Sequence, residues 1–576
     1  MRTRLKAGVS GALTVIAAMF VIAGAEYASE PATKPFVLYQ DIAKSAGLTA
    51  SNVFGKLTHK DYILETTGNG AAIFDFDGDG LNDIFIANGT TLEARSGKPP
   101  LPQLYRNDGH GKFEDVAAKA GLTQSGWGQG VCAGDYDNDG HTDLFVTFYG
   151  HNILYRNTGK GTFVDVTASA KLPVTGTRWG TGCAFLDYDR DGRLDIFVSN
   201  YVALDLKSTP KPGDSATCQW KGLAVMCGPT GLPLSANALY HNNGDGTFTD
   251  ISEKAGILKP GGRYGLGVLA ADFDGDGWPD IYVACDMTAS LLYHNQQDGT
   301  FVERGVEDGV AYNYDGRLQA GMGVAAADYD ASGKLSIAKT NFSGDLPSLF
   351  HNDDGKFFTD VSQAAGLARH QLLGWGALFV DADEDGWPDL MLANGHVYPE
   401  VDKAGVGDRY REQTLLYRNS GDGTFSDVTE ESGPALRQLR PARGMAMGDI
   451  DGDGSPEIVI VNMNEPPALL KNMGAHRHAM VVSLTGTKSN RSAIGARVTV
   501  QTGKHTQMQE VLSGGSYLSQ NDLALYFGMG DSAAVDRLEV RWPSGLVQRW
   551  TGQPSQYKLS ITEGQDSIRK ERLQGR

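Results

Sequence analysis

Residues 75–83 read DFDGDGLND, with carboxylates at every second position and then one four residues further on. Side-chain oxygens at positions 1, 3, 5 and 9, with the backbone carbonyl of position 7, form a set that can wrap one hard cation. Calcium accepts about six to eight oxygens in flexible geometry, whereas magnesium demands a stricter octahedron and holds on to its waters. Glycine at position 6 permits the sharp turn that brings the later ligands round. The expected ligands of this first loop are Asp75, Asp77, Asp79 and Asp83, with the carbonyl of Leu81.

The loop repeats. DYDNDGHTD supplies Asp135, Asp137, Asp139 and Asp143 with the carbonyl of His141, and DYDRDGRLD supplies Asp187, Asp189, Asp191 and Asp195 with that of Arg193. DFDGDGWPD supplies Asp272, Asp274, Asp276 and Asp280 with Trp278, and DADEDGWPD supplies Asp381, Asp383, Asp385 and Asp389 with Trp387. DIDGDGSPE supplies Asp449, Asp451, Asp453 and Glu457 with Ser455. A worn copy, DYDASGKLS at 328, keeps Asp328 and Asp330 but has Ser332, Lys334 and Ser336, and weak or no binding is expected there.

An EF-hand begins in the same way but needs a bidentate Glu at position 12. Here that position is Ile86, Val146, Val198, Val283, Leu392 or Ile460, so the EF-hand is excluded. A single Asp-Gly cluster reads equally well as a turn. Six copies with carboxylates in the same four registers favour calcium, and six such ions would bring the formal charge from -18 to -6. Because each ligand set comes from one tight loop, the ions read as structural rather than catalytic.

The positioning elements repeat with the loops. A small-residue apolar run such as GQGVCAG precedes each loop, and a strand such as DIFIANG follows it. Then come LYRN, LYHN or LFHN, a Gly/Asp turn and a segment like GTFVDVT. Four strands per unit, repeated seven times, predict an all-β, seven-bladed β-propeller over residues 37–475. β-Helices and linear solenoids are the rivals, but the ends favour a ring. The last unit lacks its GTFxDV segment, and FVLYQDIAKSAGL at 36–48 resembles the missing piece, so the N-terminal strand should complete the last blade. Alternating runs predict a small β domain at 476–563, and the tail at 564–576 reads as charged and loose.

The 576-residue chain is acidic, which argues against a nucleic-acid partner. MRTRLK, an apolar small-residue stretch and Ala23-Gly24-Ala25 read as a signal peptide over 1–25; an uncleaved anchor is the alternative. A secreted or periplasmic location follows, with no membrane span after cleavage. Of five cysteines, Cys218 and Cys227 are the best disulfide pair, and Cys132, Cys183 and Cys285 sit in apolar strand-like runs.

With these motifs in place, the chain resembles the FG-GAP/VCBS repeats of integrin-alpha-like propellers. The segment from about 490, with NRSAIGARV, GGSYLSQND and VRWPSG, resembles the ASPIC/UnbV domain. The combination is similar to bacterial relatives of the cartilage acidic protein family, as are VMCGPTGLP (225–233) and LANGHVYPEVD (392–402). The resemblance implies a secreted, calcium-binding, interaction-type protein and carries the calcium positions over to the residues named above.

Two functions remain open. One is a binding or adhesion module for extracellular carbohydrate or protein, with insertions at 202–236 and 396–413 carrying Trp220, Tyr398 and Tyr410, which read equally as exposed aromatics for sugar rings or as packing for their own loops. The other is an extracytoplasmic carbohydrate-active enzyme of lyase or dehydratase type using His396, Tyr398 and Arg443. No nucleophile elbow, HExxH or His-rich triad supports the second.

Overall fold

The structure is a computed structural model that describes residues 35–93, 99–368 and 372–575. The expected signal peptide lies outside these residues. From Phe36 onward the chain forms one compact unit. It is a seven-bladed β-propeller with a small C-terminal β domain.

Each blade is an antiparallel four-stranded meander. The first comprises Ala71–Phe74, Asp83–Ile86, Gln103–Asn107 and Phe113–Asp115, in that order from axis to rim. Second strands such as Asp83–Ile86 and Asp195–Asn200 are buried along their whole length, because neighbouring blades cover both faces. Sequences covered on both faces need continuous apolar runs instead of alternation, and DIFI and DIFVSN supply them. The rim strands bury one residue in three: Phe113 faces in while Glu114 and Asp115 face water.

Towards the axis, glycines let the innermost strands approach each other. A Cβ on Gly130 would stand 2.3 Å from the carbonyl oxygen of Thr181, and one on Gly323 only 1.9 Å from that of Trp375. No side chain fits there, which explains the small-residue character of the runs before each acidic loop.

Two devices close the ring. Tyr39–Asp41 pairs antiparallel with Ala468–Asn472 and forms the rim strand of the seventh blade. The second device uses the asparagine that ends every third strand. Its side-chain amide donates to the carbonyl of loop position 2 in the preceding blade: Asn157 to Phe76, Asn242 to Tyr136, Asn295 to Tyr188 and Asn352 to Phe273. Asn419 reaches Tyr329 and Asn472 reaches Ala382. Asn107 closes the circuit on Ile450 of the seventh blade. Each asparagine is buried, and each bond satisfies a carbonyl that the ladders leave unpaired.

The C-terminal part is a pair of four-stranded sheets. One runs Leu525–Gly530, His478–Thr485, Tyr557–Thr562, Ile568–Arg572; the other runs His505–Glu510, Arg497–Thr502, Ala534–Arg541, Val547–Pro554. Val482, Phe527, Leu538, Val540, Trp542 and Leu559 fill the space they enclose. The described part of the tail, 564–575, is therefore not loose. Ile568–Arg572 is an edge strand on Tyr557–Thr562, and Leu573 is buried against Ala479 and Val481. Its charge run is what a sheet edge facing water carries, not a mark of missing structure.

This domain also sends Ser513–Asp522 into the axis of the propeller. Ser513 Oγ accepts from the amide of Phe185, and the Gly515 amide donates to the Val268 carbonyl. The carbonyls of Ser516 and Leu518 accept from Val324 and Val131. Ser519 Oγ accepts from Ala71 and Asn521 Oδ1 from Met447. Tyr517 is fully buried, edge-on to Trp375 at 4.7 Å. All seven blades thus touch the segment, which serves as the ring's axial core.

Candidate metal centres

Each acidic loop joins the innermost strand of a blade to its second strand. Position 1 is held by the loop's own backbone: Asp75 Oδ1 and Oδ2 accept from the amides of Gly78 and Gly80, and Asp449 does the same with Gly452 and Gly454. Position 4 has a positive φ in every copy, whether glycine (Gly78, +77°) or not (Asn138, +57°; Glu384, +56°). Position 9 opens the second strand and is buried. Asp83 Oδ2 accepts from the amide of Phe76 at position 2, and Oδ1 accepts from the amide of Asn107. Asp143, Asp195, Asp280 and Asp389 make the same contact to the third-strand asparagine amide.

Position 3 differs. Oδ1 of Asp77, Asp137, Asp189, Asp383 and Asp451 is buried in each case with no hydrogen-bond partner. A buried carboxylate oxygen without a donor is costly, and a cation relieves that cost. In the first two loops, ligand oxygens of positions 1, 3 and 9 (Asp75, Asp77 and Asp83; Asp135, Asp137 and Asp143) all lie within 4.8 Å of one another. In the next two, those of positions 1, 3 and 5 do so (Asp187, Asp189 and Asp191; Asp272, Asp274 and Asp276). The donors are hard oxygens, so the residues present fit a calcium-type ion. In the fourth loop Asp274 Oδ1 instead accepts from the Asp276 amide. In the worn fifth loop Asp330 is engaged on both oxygens, by the Ser332 amide and His351 Nε2. Ser336 there takes over the position-9 contact to the Asn352 amide.

The sequence reading missed a set of residues facing these loops. The residue before the third-strand asparagine is basic in every blade: Arg106, Arg156, His241, His294, His351, Arg418 and Lys471. Arg106 contacts Asp77 at 2.6 Å and Asp79 at 3.3 Å, and Arg418 contacts Asp383 at 2.7 Å and Asp385 at 3.3 Å. Lys471 pairs with Asp451, Asp453 and Glu457. The signal was present in LYRN, LYHN, LFHN and LLKN, where the residue before the asparagine is always Arg, Lys or His.

Without a metal, burial pushes the loop carboxyls up: Asp143 to about 9, Asp83 and Asp187 to about 8, Asp195 and Asp280 to about 7, Asp135 and Asp449 to about 6. A carboxyl whose folded pKa lies above its unfolded one makes the fold bind more protons than the unfolded chain. Metal-free stability should therefore rise as pH falls from about 9 towards 6. Calcium and protons compete for the same oxygens, so saturating calcium should remove or reverse that trend. Melting curves of resin-stripped and calcium-loaded protein at pH 6 and pH 8 measure both.

The enzyme candidates do come together, but as a packed unit. Arg443 is fully buried, and its guanidinium donates to the carbonyls of Thr66, Gly395, Ala442 and His396 while lying 4.1 Å over Trp375. His396 is also buried, with Nδ1 accepting from the Tyr398 amide, and burial lowers its pKa to about 4. Trp220, Tyr398 and Tyr410 are not the exposed aromatics expected. Tyr398 is buried and the other two half-buried, and Trp220 packs on Phe342, His396 and Tyr398. Trp220 Nε1 donates to Asp408 at 2.8 Å, which ties the two insertions together. Cys218 and Cys227 form a disulfide in the first insertion, and Cys132, Cys183 and Cys285 are buried thiols.

A ring of seven four-stranded blades, each with an inner acidic loop, defines a repeat-built propeller. The chain belongs to the FG-GAP-like repeat family and ends in an ASPIC and UnbV domain: the repeat model matches residues 75–146, 135–198, 230–283, 272–338 and 402–460, and the domain model matches 486–568. It is similar to human cartilage acidic protein 1, 25% identical over 374 residues that make up 64% of this chain and 51% of that protein. The Xenopus tropicalis protein of that name is 23% identical over 520 residues, 86% of this chain and 72% of the other. The chain spans about half the length of the human and mouse relatives. Among solved structures it aligns with an Agrocybe aegerita lectin at 16% identity and TM-score 0.34, covering 64% of this chain and 82% of the lectin. It also aligns with an exotype rhamnogalacturonan lyase at 12% identity and TM-score 0.31, covering 89% and 91%. Among the described residues no helix is long and apolar enough to cross a membrane.

Proposed function

We propose that the chain is a calcium-stapled propeller that acts outside the cytoplasm as a binding module for carbohydrate or protein. The observation that supports calcium is the buried, donorless position-3 oxygen, repeated in five loops at the same register. Loops that repeat around the whole ring suit a staple better than a single reacting centre.

Support for binding comes from the two ends of the blades. The meander puts the acidic loops at one end, where the C-terminal domain covers several of them: Arg497 meets Asp272, His505 meets Gly386 and the Tyr526 hydroxyl meets the Asp449 amide. Connections at the opposite end carry both insertions and a set of exposed apolar side chains, among them Leu57, Leu234, Met287, Tyr314 and Leu318. Surface apolar groups gathered at one end mark an interaction face. A glycan array and an extracellular-protein panel, each run with and without chelator, test this reading. Retained ligand without turnover supports it, and new reducing ends or unsaturated products would transfer it to the enzyme reading.

A further inference from the structure

The third, fourth and fifth blades depart from the others in placing a histidine over the loop. Arg106, Arg418 and Lys471 place a permanent cation over the carboxylates, but the third blade places an imidazole there. His241 Nδ1 lies 3.2 Å from Asp195 Oδ1 and 3.5 Å from Asp189 Oδ2. At those distances a hydrogen bond would be ordinary, yet Nδ1 makes none, and Asp189 Oδ1 also lacks a partner. His294 in the fourth blade is the contrast: its Nδ1 hydrogen-bonds directly to Asp280 at 3.1 Å and stands 3.8 Å from Asp274.

Ligand atoms of Asp189, Asp195 and His241 all lie within 4.8 Å of each other. A zinc-class ion at about 2.1 Å from nitrogen and oxygen ligands in tetrahedral array holds them about 3.4 Å apart. The two measured separations bracket that value. Imidazole is a poor ligand for calcium and a good one for borderline transition metals. The surroundings also fix the ligands. The Asn242 amide donates to Asp195 Oδ1 at 2.8 Å, and the Tyr188 ring stands edge-on to the imidazole at 5.9 Å. Such outer contacts orient metal ligands.

We propose that Asp189, Asp195 and His241 form a transition-metal site, so that the third loop takes a zinc-class cation while its neighbours take calcium. The proposal rests on the reading of these loops as cation sites. Cobalt(II) is the probe, added to the full chain at saturating calcium, with visible absorption and a metal count by mass spectrometry as readouts. One retained equivalent of cobalt with a nitrogen-ligated d–d spectrum is expected. His241→Gln should weaken it by more than the about 100-fold upper cost of losing an outer-shell contact, with calcium content at the other loops unchanged. His294→Gln should leave it as in the parent. Calcium retained without cobalt, or cobalt held equally by His241→Gln, overturns the site. Absence of calcium from every loop would instead sink the staple reading, and cobalt retention would still report on this one.

Discussion

Chelation should lower the melting temperature by about 15 °C. A ligand present at a hundredfold excess over its Kd stabilises the fold by about 2.7 kcal/mol per site. Six occupied loops, the third counted with whichever chelatable cation it holds, together give about 16 kcal/mol. A chain of this size unfolds with an entropy of about 1.1 kcal/mol/K, which converts that figure into the shift. The cause is local: without metal, five donorless oxygens stay buried beside like charges, and only the facing arginines and lysine offset them. Asp137→Asn removes one such ligand and should cost about one sixth of the total. Replacing Asp330 in the worn loop should not change the calcium dependence, because both its oxygens are already partnered. Differential scanning calorimetry with EDTA and with excess calcium gives the answer, and an unchanged melt would refute structural calcium.

Removing the axial segment is expected to be as damaging. Tyr517 has no exposed surface and rests against Trp375, and its neighbours satisfy amides and carbonyls of the innermost strands. Tyr517→Ala should cost about 3–5 kcal/mol, the range for emptying an aromatic site in a packed interior. At the entropy above that is about 3–5 °C. Ending the chain after residue 475 goes further. It uncovers the blade residues Cys132, Phe145 and Phe185, which share one apolar cluster with Met480, Val498 and Trp542. The truncated propeller should expose that surface and aggregate, and the intact chain should melt in a single transition. Two separate transitions, with the upper one indifferent to Tyr517→Ala, would show that the propeller holds without its core segment.

Much of the fold was legible because it repeats. Seven copies of one loop count the blades, and the GTFxDV segment missing at one end and present at the other identifies the strand that closes them. The register of the acidic loops was legible for the same reason. Four features were not. GGSYLSQND carries no periodic mark of an axial segment, since its role exists only through contacts with strands hundreds of residues away. The tail strand was hidden because an edge strand and a loose tail show the same charge. Arg106, Lys471 and their counterparts were quoted as parts of LYRN-type motifs, but sequence spacing alone does not place a third strand beside a loop two strands earlier. Trp220 and Tyr398 looked like surface aromatics until the two insertions proved to fold against each other.

The pairing of Tyr39–Asp41 with Ala468–Asn472 has a consequence in time. The strand made first during synthesis waits for a partner made more than four hundred residues later, since Leu38 and Asn472 are 434 apart in sequence. Closing so long a loop costs about 5 kcal/mol in chain entropy. The penalty is met only once the six blades between already stand in place and hold the two ends near each other. The axial segment is made later still. During synthesis the unfinished molecule is an open horseshoe with one unpaired edge and a hollow centre, and the residues after 475 convert it into a sealed ring.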